Sequence, residues 1–256
     1  MYESNNRNFT FSLLSASTGL TQTFSSANMI ETGFFKGTYL DKADNRVYSN
    51  VNPLELSGDA YCSSVLISPD IALTAAHCVD GDVTGWKQDE GADWGAPVAI
   101  AETWIGRNYK HGESGDVPSH EDFGIVRLAT PAPANITYFE VAKPDEVYIG
   151  QPAATVGYPA YTYNGNQRVV GSGCRIRGFS GDVLKTDCYL SEGMSGGPLL
   201  VKTKSGKWKI AGLASEEVLS DGRMIMGDAY SSGSANTYVN VTHYRGRISK
   251  STDLQL

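Results

Sequence analysis

The chain has 256 residues, 41% of them hydrophobic and 19% charged, enough for one large domain or two small ones with real cores. A formal net charge of -7, with no long run of Lys or Arg, excludes nucleic acid as the expected partner because phosphates would go unneutralised. No stretch approaches the about 18 apolar residues of a membrane span, and no loop has the acidic spacing of an EF-hand, so no membrane, metal or cofactor is expected.

Residues 1 to about 32 are rich in Ser, Thr and Asn and lack periodicity; they read as an N-terminal extension or a propeptide. Met1-Tyr2-Glu3-Ser4 has no basic and apolar leader, so secretion implies a signal already removed. From there the chain reads as strands and turns with little helix. Glycine is frequent (28), and short runs rich in Val, Ile, Leu, Tyr and Thr sit between turn signals. Strands are expected at Ser64–Ile67, Ile71–Thr74, Phe123–Leu128, Ala153–Gly157, Pro198–Val201 and Trp208–Leu213. Lys202 to Lys207, centred on Ser205-Gly206, reads as the turn joining the last two. Gly106 to Glu121 and Tyr161 to Gln167 read as polar surface loops. Lys143-Pro144-Asp145 breaks the pattern, so two halves join near residues 142–150. Val241 to Ser249 is compatible with a short helix that Gly246 weakens. Many short strands with regular turns predict an all-β chain of sandwiches or barrels.

Four cysteines occur, Cys62, Cys78, Cys174 and Cys188, and none form a C-x-x-C pair, which argues against a zinc or thioredoxin-type motif. Four allow three pairings. The local one, 62–78 with 174–188, closes two short loops and suits an oxidising compartment. Sequons stand at Asn8, Asn135 and Asn240.

Three local signals carry chemistry. In Leu73-Thr74-Ala75-Ala76-His77-Cys78 the small alanines let the backbone pack tightly before His77, and Cys78 can tie the turn to Cys62. In Gly193-Met194-Ser195-Gly196-Gly197-Pro198 a serine is flanked by glycines that permit unusual φ. The Gly193 and Ser195 N–H groups can point to one spot and stabilise charge on a carbonyl oxygen. Pro198 and an apolar run follow where the hydrolase elbow would have a helix. In Glu121-Asp122-Phe123-Gly124 an acid precedes an apolar strand and can accept the Nδ1 proton of a histidine.

Together, in the order His, Asp, Ser, these motifs resemble the chymotrypsin-like (trypsin-like, S1) serine peptidases over roughly residues 33–246. The resemblance implies two six-stranded antiparallel β-barrels of the chymotrypsin type, with a short C-terminal helix. The first barrel would occupy residues 33–142 and the second 143–256. It implies a catalytic triad of His77, Asp122 and Ser195, an oxyanion hole of Gly193 and Ser195, and the histidine-loop disulfide Cys62–Cys78. Ser215, in Gly212-Leu213-Ala214-Ser215, looks like the family serine near the triad acid that borders the substrate channel. Tyr189, Leu190, Glu192 and Glu217 are the further candidates for substrate contact.

Two departures refine the resemblance. Met194 stands where the animal digestive enzymes carry the acid that pairs with a new N-terminus. Cys62-x-x-x-x-Ile67-x-Pro69, Asp122-Phe123-Gly124 and Val156-Gly157-Tyr158-Pro159 are similar to the bacterial and fungal V8-like glutamyl-endopeptidase branch. That branch's pocket histidine has no counterpart in Ala211–Ala214, and Tyr189 does not supply a trypsin-type pocket acid. The expected function is therefore a secreted, monomeric serine endopeptidase acting on proteins or peptides through an acyl-enzyme. The alternatives are a non-catalytic binding protein on the same fold, and an esterase with the same triad.

Overall fold

The computed structural model describes residues 39–42, 47–57, 61–81, 83–87, 96–109, 121–132, 136–160, 167–216, 219–220, 223–224 and 235–253. In chain order its strands are β1 (Tyr39–Lys42), β2 (Val51–Leu56), β3 (Tyr61–Leu66), β4 (Ile71–Thr74), β5 (Val83–Trp86), β6 (Ile100–Ile105), β7 (Gly124–Leu128), β8 (Pro152–Gly157) and β9 (Val169–Ser180). Then follow β10 (Val183–Thr186), β11 (Pro198–Lys202), β12 (Trp208–Glu216), β13 (Leu219–Ser220), β14 (Arg223–Met224) and β15 (Asn236–Asn240). A 3₁₀ turn at Val241–Tyr244 leads into one short helix, α1 (Arg245–Thr252). The six strands expected from the sequence all appear, shifted by at most a few residues at their ends.

Two six-stranded antiparallel barrels result. The first runs β5-β2-β3-β4-β7-β6 and is closed by a bridge between Trp86 and Val98. The second runs β8-β9-β10-β15-β12-β11 and closes because β8 pairs with both β9 and β11. Strand β1 adds to β9 from outside, so Tyr39–Lys42 pair with the second sheet although they precede the first in sequence. The hairpin β13–β14 stands apart.

Alternation explains the apolar runs. In a strand, neighbouring side chains point to opposite faces, and here both faces are buried. Val65, Ile71, Leu73 and Ile125 of the first barrel join Val156, Leu200, Ile210, Leu213 and Val239 of the second in one cluster between the barrels. Their sequence neighbours turn inward. Leu66, Ala72 and Val126 fill the first barrel together with Trp86, and Leu199, Val201, Ala211 and Ala214 fill the second. One apolar layer thus joins the halves and two more fill the barrels, and the strands read as continuous apolar segments, as sheets covered on both faces do.

Both local disulfides are present, Cys62–Cys78 and Cys174–Cys188. The sequon asparagine Asn240 is buried, and its Oδ1 accepts from the Thr242 N–H and hydroxyl. That side chain caps the 3₁₀ turn and presents no surface acceptor for a glycan. Asn8 and Asn135 lie outside the described residues.

Candidate active site

Strand register brings His77 and Asp122 together. β4 pairs antiparallel with β7, and the last pair is Thr74 with Gly124. Continuing past that pair, the chain makes a 3₁₀ turn at Ala76–Cys78 on one side, and Asp122 precedes the pair on the other. Crowding explains the small residues. A Cβ on Gly124 would sit 2.6 Å from Val79 Cγ2 and 3.0 Å from the Ala75 carbonyl, while Ala75 and Ala76 are fully buried. The Cys62–Cys78 bridge anchors the far end of the turn to β3.

Asp122 is buried and receives three hydrogen bonds. Its Oδ1 accepts from the His77 backbone N–H at 2.9 Å. Its Oδ2 lies 2.8 Å from His77 Nδ1 and 2.6 Å from the Ser215 hydroxyl, which donates to it. Burial pushes the Asp122 carboxyl up, but the hydrogen bonds and charge of His77, with the Ser215 hydroxyl, outweigh burial and hold it below the usual range. An ionised acid on Nδ1 keeps that proton in place, so Nε2 carries the ring's basic lone pair. Ser215 belongs to β12 of the second barrel, so this contact also crosses between the barrels.

Glu121, the preceding residue, is also buried and anchors the acid segment. It accepts from Arg247 of α1 at 2.8 Å and from the Asn108 backbone N–H at 2.7 Å. Phe123 stacks on Tyr244 with ring centroids 4.6 Å apart.

The serine turn runs from Ser191 to Gly197, just before β11. Gly193 and Gly196 have φ of +87° and +79°, a region that costs side-chain-bearing residues about 1–2 kcal/mol. A Cβ on Gly196 would lie 2.1 Å from Thr74 Oγ1 and 2.4 Å from the Ser63 carbonyl. This turn is therefore pressed against β3 and β4 of the first barrel, beside the His77 turn. The Ser63 N–H donates to the Ser195 carbonyl at 2.8 Å. Ser195 itself is half-buried and His77 is exposed, so both are open to solvent.

Carbonyl contacts set the direction of the amides. In a trans peptide the C=O and the following N–H point opposite ways. The Glu192 carbonyl accepts from Ala160 at 2.8 Å and the Met194 carbonyl accepts from Gly197 at 2.9 Å. The N–H groups on those same peptides belong to Gly193 and Ser195, and among the described residues neither donates a hydrogen bond. The Met194, Gly196 and Gly197 amides all have acceptors. Met194 is fully buried among apolar neighbours of the second barrel.

The other residues singled out from sequence separate. Ser215 holds the acid. Glu192 is exposed at the edge of the turn. Tyr189 and Leu190 are buried in the apolar filling of the second barrel, and the Tyr189 carbonyl accepts from the Tyr238 hydroxyl at 3.2 Å. Glu217 lies outside the described residues. Ser63, Thr74 and Ala160 were not singled out from sequence, yet they grip or crowd the serine turn. Only the paired serines after Cys62, at buried strand positions, hint at it. Tyr61 stands next to the turn as well. Burial first, and the nearby Glu192 charge second, push its phenol up to about 12.

Comparison with known proteins agrees with the two-barrel fold. Residues 62–208 match the model of the trypsin-like peptidase domain. Transmembrane protease serine 11G of mouse is 24% identical over 244 residues, covering 83% of this chain and 54% of that protein. Its rat counterpart is 24% identical over 233 residues, covering 78% and 52%. The chain thus spans about half the length of these curated relatives. Among solved structures, neuropsin, a serine protease expressed in the limbic system of mouse brain, superposes with a TM-score of 0.64 at 16% identity, covering 83% of this chain and 98% of its own. A Glu endopeptidase in complex with MPD gives 0.63 at 17% identity, covering 84% and 97%. At such identities the superpositions speak for the shared two-barrel fold. With the family model matched over more than half its length, this chain belongs to the trypsin-like peptidase domain family.

Proposed function

We propose that this chain is a serine endopeptidase that hydrolyses peptide bonds through Ser195, His77 and Asp122. The observation that carries the proposal is the hydrogen-bonded line Ser215–Asp122–His77 beside a serine turn whose Gly193 and Ser195 amides have no described acceptor. Peptidase activity among relatives supports it.

The roles follow the general template of such triads. Ser195 Oγ attacks the scissile carbonyl, and His77 Nε2 takes its proton. Asp122 holds the imidazole tautomer and stabilises the imidazolium. The two amides take the charge that develops on the carbonyl oxygen, an interaction worth about 3–4 kcal/mol per donor in comparable sites. His77 then protonates the leaving amine, and water repeats the sequence on the acyl-enzyme.

Within the family we place the chain nearest the V8-like branch, on the motifs around Cys62, Asp122 and Val156–Pro159 and on Met194. The proposal carries no preference for Glu. Ala211–Ala214 offers no histidine, and Ala214 is fully buried with its carbonyl bound to the Gly196 amide. Two disulfides fit an oxidising, extracellular setting, and the described residues contain no helix long and apolar enough to cross a membrane.

Fluorophosphonate labelling tests the nucleophile. Wild type should be modified at Ser195 and should digest casein and short peptides, while Ser195→Ala should do neither and remain folded. An unlabelled wild type, or a mutant with wild-type cleavage, would remove Ser195 from the reaction. Cut-site profiling on a peptide library then reads the preference.

A further inference from the structure

Building on the peptidase reading above, we propose that the Ser63 hydroxyl is a positioning residue that holds the oxyanion-binding turn in its working conformation from the opposite barrel.

Ser63 lies on β3 and is fully buried. Its hydroxyl donates to the Gly193 carbonyl at 2.9 Å and accepts from the Tyr158 N–H at 3.0 Å. Tyr158 directly follows β8 of the second barrel. One hydroxyl therefore joins the first barrel, the start of the second and the serine turn. Its donor and one acceptor position are both used. The backbone of the same residue is equally committed. Its N–H donates to the Ser195 carbonyl at 2.8 Å, and its carbonyl accepts from the Thr74 hydroxyl at 2.9 Å.

The edge of β3 is free to do this because its ladder with β4 ends at Val65–Leu73, two residues from Ser63. The serine turn occupies the freed edge. Ser63 thus grips the two carbonyls that bracket Met194. Gripping the Gly193 carbonyl fixes the 193–194 peptide, whose N–H already bonds the Ser191 carbonyl. A turn held at both of these peptides cannot rotate the neighbouring Gly193 and Ser195 amides away from a common point. Small residues leave room for the contact: a Cβ on Gly157 would come within 3.0 Å of Ser63 Oγ, and one on Gly197 within 3.2 Å of Ser63 Cβ. Because Met194 is buried and apolar, the turn takes its hold from these hydrogen bonds and not from an ion pair at that position.

The hydroxyl never meets substrate, so its removal should act on the transition state and not on ground-state binding. Ser63→Ala should lower kcat by roughly tenfold or more, short of the full loss of an oxyanion donor, with KM within about twofold. Affinity for a peptide boronate, which mimics the tetrahedral state, should fall by the same factor as kcat/KM. Ser64→Ala is the control. Ser64 is the next residue, equally buried, and its hydroxyl also makes one hydrogen bond, to the Asn52 carbonyl at 2.9 Å, but it does not touch the turn. It should keep wild-type kcat. Should Ser63→Ala fail to fold, Ser63→Gly removes the same hydroxyl and carries the same comparison.

Wild-type kcat in the Ser63 variant, or an equal loss in Ser64→Ala, overturns the inference. Amide shifts of Gly193 and Ser195 in ¹⁵N-labelled protein give a readout that needs no turnover. They should move in Ser63→Ala and stay in place in Ser64→Ala; unmoved shifts also overturn it. An inactive, unlabelled wild type whose Gly193 and Ser195 shifts still follow Ser63 would sink the peptidase reading and leave the positioning role standing.

Discussion

Asp122→Asn separates what the acid does for catalysis from what it does for the fold. Asparagine has two ways to sit. With its NH₂ at the Oδ1 position, a donor would face the His77 backbone N–H, which is also a donor. With its NH₂ at the Oδ2 position, the carbonyl still accepts from that backbone N–H. The NH₂ then meets His77 Nδ1 and the Ser215 oxygen, both of which can accept. The second arrangement leaves only the Ser215 hydroxyl proton without its former acceptor, so the loss of stability should be modest, about 1–2 kcal/mol. It forces the imidazole proton onto Nε2, where it can no longer accept from Ser195. It also removes the charge that stabilises the imidazolium. An ion pair at about 4 Å in an effective dielectric of ~20 is worth about 4 kcal/mol, or roughly a thousandfold in rate. Adding the wrong tautomer, kcat/KM should fall by roughly 10³–10⁴. The assay is peptide hydrolysis at neutral pH alongside a denaturant titration. A mutant within tenfold of wild-type kcat/KM would refute the assignment of Asp122 as the partner of His77.

Gly196→Ala should destabilise by several kcal/mol or prevent folding, because its Cβ would lie 2.1 Å from Thr74 Oγ1 at a φ of +79°. Gly206→Ala, at φ +84° but facing open space, should cost only about 1 kcal/mol; equal losses in denaturant melts would show that the contact is not what matters. Glu121 is pushed up by burial but held below its usual range by the Asn108 backbone N–H and by Arg247. A carboxyl lowered in the folded state contributes stability that is present above its unfolded value of about 4.3 and is lost as pH falls through the folded value. Glu121→Gln should therefore flatten the acid limb of stability, and an unchanged limb would contradict the anchor. Replacing Cys62 and Cys78 together by Ala opens a loop of sequence separation 16; it should cost about 3 kcal/mol and lower kcat as well, whereas the Cys174, Cys188 pair should affect stability more than rate.

Much of the candidate site is legible in the sequence because its motifs are local. The Thr74–Cys78 segment, the acid before Phe123-Gly124 and the glycines around Ser195 each announce a tight turn within six residues. The six expected strands were visible because both of their faces are apolar. Other parts needed the third dimension. Ser63 and Gly193 are 130 residues apart, and Ser63 and Tyr158 are 95 apart, so no window of sequence contains the contact. A buried serine in a strand looks like any polar residue on an outer face. Strand β9 is hard to read from sequence because Arg175, Arg177 and glycines interrupt its apolar pattern; in the structure Arg175 and Arg177 are exposed, and Arg177 pairs with Asp187. Tyr189, a candidate for substrate contact on the resemblance, is buried among the apolar side chains of the second barrel, an environment that its sequence position alone does not reveal.

The location of the site follows from barrel closure. A closed barrel has no edges, so its backbone groups are used up in the ladder everywhere except where strands stop pairing. The three candidate catalytic residues all stand at such places: His77 three residues after β4 ends at Thr74, Asp122 two before β7 begins at Gly124, and Ser195 three before β11 begins at Pro198. There the backbone still has donors and acceptors outside the ladder, and several of them hold the site. The His77 N–H holds Asp122, the Ser63 N–H holds the Ser195 carbonyl, and the Ala214 carbonyl holds the Gly196 amide. Side chains fixed by backbone groups of two rigid barrels need no flexible loop to bring them together. Their mutual distances then depend on how the barrels pack, through the apolar layer of Leu73, Ile125, Val156, Leu213 and Val239. Loss of a single methylene in that layer, for instance Ile125→Val, should thus disturb rate by shifting one barrel's residues against the other's. The same loss inside the first barrel, at Leu128, should register in stability alone.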